Sequence, residues 1–198
     1  MLTETRGREI YEKAKMVNAV SDEYQLIHAT FALEKIFNKE LKEKYGQSIA
    51  ELRKQIANES DAQKLATYSE KARELTDASR KQKVKISLIY VNEIDENSAR
   101  TTKTKNTYMI LLPEKLKKIR NEDGTINIEK LKQLRHLMAH ELGHILLHSN
   151  SIVNGEPQGT DLLGDMEEEE ADYFAKHLIE LRKMRNDELY KNSNYTQI

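Results

Sequence analysis

A chain of 198 residues has room for one sizeable domain, or a compact domain with a helical appendage, but not for two large domains. Charged residues make up 33% of it with a formal net charge of -1, so the total points to neither a basic nucleic-acid surface nor an acidic tail. The lack of cysteine excludes disulfides, thiolate metal sites and cysteine nucleophiles, and leaves histidine, carboxylate and water to hold any metal.

The opening stretch Met1-Leu2-Thr3-Glu4-Thr5-Arg6 is polar and unlike a secretory signal. No apolar run approaches the ~18–20 residues of a membrane span, so a soluble, cytoplasmic protein is expected. Only two prolines, Pro113 and Pro157, and few glycines favour long helices. Over residues 22–44, Leu26, Ala29, Leu33, Ile36, Phe37 and Leu41 recur with the helical period, and Gly46 is the expected stop. Ser48 with Glu51 reads as a capping box opening the next helix, with Ile49, Leu52 and Ile56 on its apolar side. Ser60 with Gln63 offers another start, continued by Leu65, Tyr68, Ala72 and Leu75 toward Ser79.

At residues 84–91 the texture changes to β-branched and aromatic residues alternating with polar ones, which predicts a strand. Residues 107–112, closed by Pro113, predict a second, and the polar segment 92–106 suits a long connection or hairpin loop. Two strands alone are marginal, so a third element must cover them. A short charged helix over 114–119, a turn at Asn121-Glu122-Asp123-Gly124 and an N-cap at Asn127 precede a long helix with Leu131, Leu134, Met138, Leu142 and Ile145 inward. After the turn-rich segment 149–165, a final helix over 166–190 uses Ala171, Phe174, Ala175, Leu178, Ile179 and Leu181. The elements predict an α+β protein that is mostly helical with a small β-sheet. Residues 1–80 form a helical region, either part of the same domain or an appendage; 81–190 form the core, and 191–198 a frayed tail.

Within the long helix stands Ala139-His140-Glu141-Leu142-Gly143-His144. On a helix His140 and His144 share one face with Cβ atoms about 5–6 Å apart, so both rings can address one cation. Glu141 is then placed to hold and deprotonate a water, as this His-Glu-x-x-His pattern does in zinc peptidases. Catalytic zinc takes three protein ligands. His148 continues the spacing, but on an unbroken helix it lies about 12 Å along the axis from His140, too far for rings that bind zinc at roughly 2.0–2.1 Å. The acidic run Glu167-Glu168-Glu169-Glu170 on the next helix is the better source, and helix geometry alone leaves open which glutamate serves.

The segment from Ala139 to His148, followed by Glu168-Glu169-Glu170-Ala171-Asp172-Tyr173-Phe174-Ala175, resembles the ImmA/IrrE family of metallopeptidases, most specifically over residues 137–178. The resemblance implies a zincin-type active-site helix, with a glutamate as third ligand that maps to Glu168. It gives Asp172 the supporting role behind a ligand histidine. Glu168 and Asp172 share a helix face, consistent with that division. Glu167, Glu169 and Glu170 project elsewhere and are expected to be solvated charges near the helix N-terminus. His148 is expected to be a polar residue ending its helix, His136 a surface or supporting residue, and His28 and His177 structural or exposed. Tyr90 and Tyr108 read as strand residues.

The implied function is a zinc-dependent endopeptidase: Zn²⁺ on His140, His144 and Glu168, with Glu141 as the catalytic base. Either strand could border the cleft and align an extended peptide by edge pairing. The resemblance further implies a cytoplasmic protease that cuts a specific regulatory protein, often a transcriptional repressor, without membrane or direct nucleic-acid partners. The alternative is a catalytically silent protein of the same fold that serves as a protein-binding or regulatory module.

Overall fold

The structure, a computed structural model, describes residues 2–20, 27–152 and 164–194. It divides into two compact units, one of Met1–Leu33 with Ile86–Ile198 and one of Glu34–Lys85. No helix among the described residues is long and apolar enough to cross a membrane.

The smaller unit is a helical hairpin of α3 (Lys39–Asn58) and α4 (Ala62–Gln82). Neither the expected stop at Gly46 nor the capping box at Ser48 and Glu51 exists, because both lie inside α3. A glycine costs a helix interior about 1 kcal/mol, which twenty residues absorb. The chain breaks instead at Asn38, ending α2 (Ile27–Phe37). The Asn38 side-chain amide donates to the carbonyls of Glu34 at 2.7 Å and Val84 at 2.9 Å, and its oxygen accepts from the Val84 N–H at 2.8 Å. One residue thus ends a helix and fixes the chain entering the sheet. The start of the expected helix, 22–26, lies outside the described residues. The cap of α4 is Asp61 rather than Ser60: its carboxylate accepts from the N–H groups of Gln63 and Lys64. That helix runs to Gln82, past the expected end at Ser79, and buries no residue.

In the larger unit α1 (Glu4–Val20) packs along α6 (Asp165–Asn194), burying Ile10, Ala14 and Val17. The sheet has three strands in the order β1-β3-β2, with β1 Lys85–Val91, β2 Arg100–Thr104 and β3 Thr107–Pro113. The segment expected as connection therefore contains a strand. β2 pairs antiparallel with β3 from Arg100↔Leu111 to Thr104↔Thr107, across a two-residue turn in which Lys105 has φ 55°. Its Arg-Thr-Thr-Lys-Thr sequence reads as loop by polarity, yet Thr101 and Thr102 are buried. β3 is the middle strand, so it offers no edge for an added peptide, contrary to the expectation that either strand could; β1 and β2 are the edges. Tyr108, Ile110 and Leu112 alternate inward from β3.

The charged helix expected over 114–119 is a 3-10 turn, Glu114–Leu116, anchored by buried Leu116. After the turn closed by the Gly124 N–H on Asn121, α5 (Ile128–Leu147) starts as expected, with the Asn127 side chain accepting from the Lys130 N–H at 3.0 Å. α5 packs on β2, β3 and α6. It comes close to α6 at Gly143, where an added Cβ would stand 3.1 Å from Ala171 Cα and 3.2 Å from both Ala171 O and Phe174 Cδ1. Around that contact lie Leu142, Ile145, Phe174, Ala175 and Leu178, all fully buried. α6 continues beyond the expected end at 190 to Asn194; of the expected tail, 195–198 lie outside the described residues, as do 153–163 of the turn-rich segment.

Candidate metal centre

The close approach at Gly143 sets one face of α5 against the first turns of α6, and the His-Glu-x-x-His residues sit at that seam. The His140 and His144 rings have centroids 4.5 Å apart and their Nε2 atoms 2.8 Å apart. Glu168 reaches across from α6, with Oε2 3.1 Å from His140 Nε2 and Oε1 3.4 Å from His144 Nε2. One ligand atom from each of the three lies within 4.8 Å of the others. His148 is not in this group. Two imidazole nitrogens and a carboxylate converging on one point form a donor set that suits a divalent cation.

The electrostatics favour the same use. His144 is wholly buried, and burial first, then the nearby His140 and His148, push its pKa down to about 3. At neutral pH it is an uncharged imidazole with a lone pair to give. Asp172 Oδ1 lies 2.7 Å from His140 Nδ1, which turns that ring's Nε2 toward Glu168 and His144. His136 lies 3.8 Å from the same Asp172 oxygen. A second possible grouping, His136, His140 and Asp172, has two exposed members and shares His140 with the first.

Glu141, next to His140 on the same helix, lies in the interior. It is only 2% exposed, and its Oε2 accepts from the Thr101 hydroxyl of β2 at 2.6 Å. Thr101 was invisible to sequence reasoning, since the strand that carries it read as loop and nothing local links it to a residue 40 positions on.

One expectation for the acidic run fails. Glu170 is buried, not solvated: Arg6 of α1 grips it with Nε on Oε1 at 2.7 Å and Nη2 on Oε2 at 2.6 Å, and His148 Nε2 lies 2.9 Å from Oε2. The Arg6 hydrogen bonds, outweighing the opposing effect of burial and aided by His148, hold its carboxyl down to about 2. Helix position alone could not reveal this, because the partner comes from the far end of the sequence. Glu167 accepts from Ser151 Oγ and the Gly164 N–H at the start of α6, and Glu169 is exposed and accepts from the Leu2 N–H. His148 does end α5, but as a buried residue whose Nδ1 is 3.3 Å from His144 Nδ1. His177 packs edge-on to Tyr11 and Tyr173, away from the centre, and Tyr108 is buried in the sheet. The His28 side chain lies outside the described residues.

Residues 126–193 match the family model described as IrrE N-terminal-like domain (Peptidase_M78). The match spans α5 and all of α6 but Asn194, and so includes His140, Glu141, His144, His148, Glu168, Glu170 and Asp172 while leaving out Thr101 and Arg6. No curated protein and no solved structure matches the chain.

Proposed function

We propose that the chain, whose residues 126–193 match the IrrE N-terminal-like domain, is a zinc-dependent endopeptidase of the ImmA/IrrE kind. The observation that carries this reading is that His140 and His144, on the helix that also bears Glu141, converge with Glu168 of α6, one ligand atom of each within 4.8 Å of the others. These three residues would hold Zn²⁺, a soft-enough cation for two imidazoles and a carboxylate. Zinc in such a site supplies Lewis acidity, lowering the pKa of a water to about 7 and polarising a carbonyl. Glu141 takes the proton of the attacking water and delivers it to the leaving amine nitrogen, while the Thr101 hydroxyl holds the carboxylate in position. Asp172 orients His140.

The substrate is an extended segment of a specific regulatory protein of the cytoplasm, such as a transcriptional repressor. It aligns along β2, the edge strand that carries Thr101. Amide exchange on bound peptide should slow in β2; unchanged exchange there would remove this alignment. Glu141→Gln should bind zinc as the wild type does and lose about 10²–10⁴-fold in cleavage rate. Equal cleavage by the two proteins would sink the peptidase reading.

The second reading, a silent binding module of the same fold, draws on the burial of Glu141 and its hydrogen bond to Thr101. It requires that Glu141→Gln and wild type act alike on the natural partner in cells, with the partner left intact by both.

A further inference from the structure

His140 receives its orientation directly from a carboxylate, Asp172. Among the described residues no carboxylate lies at His144 Nδ1; what lies there is His148 Nδ1 at 3.3 Å. Beyond His148 comes Glu170, and beyond Glu170 comes Arg6. We propose that Arg6, Glu170 and His148 are positioning residues, a hydrogen-bonded relay that fixes the tautomer and ring orientation of His144 from α1, 138 positions away. This inference rests on the zinc reading of the centre and deepens it.

The proton positions follow from what each group can donate. Glu170, paired on both oxygens with the Arg6 guanidinium, is a carboxylate and can only accept. His148 Nε2, 2.9 Å from Glu170 Oε2, must therefore carry a hydrogen and donate it. In a neutral imidazole the other nitrogen then holds a lone pair, so His148 Nδ1 is an acceptor. Facing it, His144 Nδ1 must be the donor. That leaves the lone pair of His144 on Nε2, the atom 3.4 Å from Glu168 Oε1 and 2.8 Å from His140 Nε2. The opposite tautomer would set two lone pairs against each other at Nδ1 and put a hydrogen where the cation must bind.

The relay is buried along most of its length, with His144, His148 and Glu170 all in the interior, so water does not compete for these bonds. Beside Arg6, Gly7 lies close to α6: an added Cβ would stand 3.3 Å from the Tyr173 hydroxyl, which would have to give by a few tenths of an ångström. Second partners of metal-bound histidines typically contribute 10–100-fold to metal affinity.

The test uses the full chain, ¹⁵N-labelled at histidine, with His148→Phe, which keeps a ring but has neither nitrogen, and His148→Gln, which keeps an acceptor and a donor on one side chain. In metal-free wild type, ring ¹⁵N shifts should put the hydrogen of His144 on Nδ1 and that of His148 on Nε2. His148→Phe should lose the single His144 tautomer and bind zinc about 10–100-fold more weakly in chelator competition. His148→Gln should recover at least part of both, which separates positioning from simple loss of packing. The visible bands of the cobalt-substituted proteins should shift in the Phe variant and return toward wild type in the Gln variant. A wild-type His144 with its hydrogen on Nε2, or a His148→Phe protein that binds zinc as tightly as wild type, overturns the relay. A wild type that binds no zinc overturns the peptidase reading instead, and the ring shifts then decide the relay alone.

Discussion

Two helix pairs of similar charge content behave in opposite ways. In the hairpin of α3 and α4, Leu52 is the one buried residue among the described side chains, and α4 buries none. In the pair of α5 and α6, residues 137–145 are buried except for His140, and Glu141, His144, His148 and Glu170 are buried with their charges or ring nitrogens engaged. The difference is made by small residues and by partners. Gly143 against Ala171 brings α5 and α6 to van der Waals range, where α3 and α4 meet through half-exposed Leu, Ile and Tyr side chains. A polar group is kept inside only where another element supplies what it lacks, a hydroxyl from β2 for Glu141 or a guanidinium from α1 for Glu170. Helical period is common to both pairs, and only one of them is an interior.

This contrast can be broken or sharpened by substitution. Phe174→Ala should cost about 3–5 kcal/mol in urea unfolding, since the ring is fully buried against the Gly143 contact; a loss under 1 kcal/mol would mean the helices close over the gap. Thr101→Val keeps the shape but leaves the Glu141 carboxylate short of a donor, and should cost about 1.5–3 kcal/mol. Gly143→Ala gains about 1 kcal/mol of helix propensity but presses on Ala171 backbone, which cannot rotate away. The net should be a loss of about 1–2 kcal/mol together with weaker zinc binding, and unchanged zinc affinity would show that helix spacing does not set the centre. In the other pair, Asp61→Ala should cost about 1 kcal/mol through its lost cap, read as faster amide exchange in α4 with zinc affinity untouched. Leu65→Ala, at an exposed position of α4, should stay within about 0.5 kcal/mol of wild type in the same unfolding measurement.

The centre was legible where its geometry is local. His140 and His144 are one helical turn apart, Asn127 caps the helix that carries them, and both features depend on residues a few positions away. Glu168 and Asp172 needed a second segment, which the family pattern supplied, and the structure brings them beside the histidines. What stayed hidden depends on long separations. Thr101 lies on a strand whose polar composition reads as loop, and its buried hydroxyl meets a carboxylate rather than apolar side chains. Glu170 sits in a run of four acids, and nothing in that run marks the member that will meet Arg6. The break at Asn38 was hidden for the same reason: its side chain is spent on Val84, 46 positions later, while Gly46 advertised a stop that the helix did not need.

The pairing of Arg6 with Glu170 spans 164 positions. On a growing polypeptide α1 is made before α6, so Arg6 can meet Glu170 only after the later helix has followed it. Domains tend to fold as they emerge, from the N-terminus onward, yet this bond must wait until residue 170 has been made. On the peptidase reading, a nascent chain in which α6 has not yet been made lacks Glu168 and the Arg6 relay alike, so neither the metal grouping nor the support behind His144 can form before that helix.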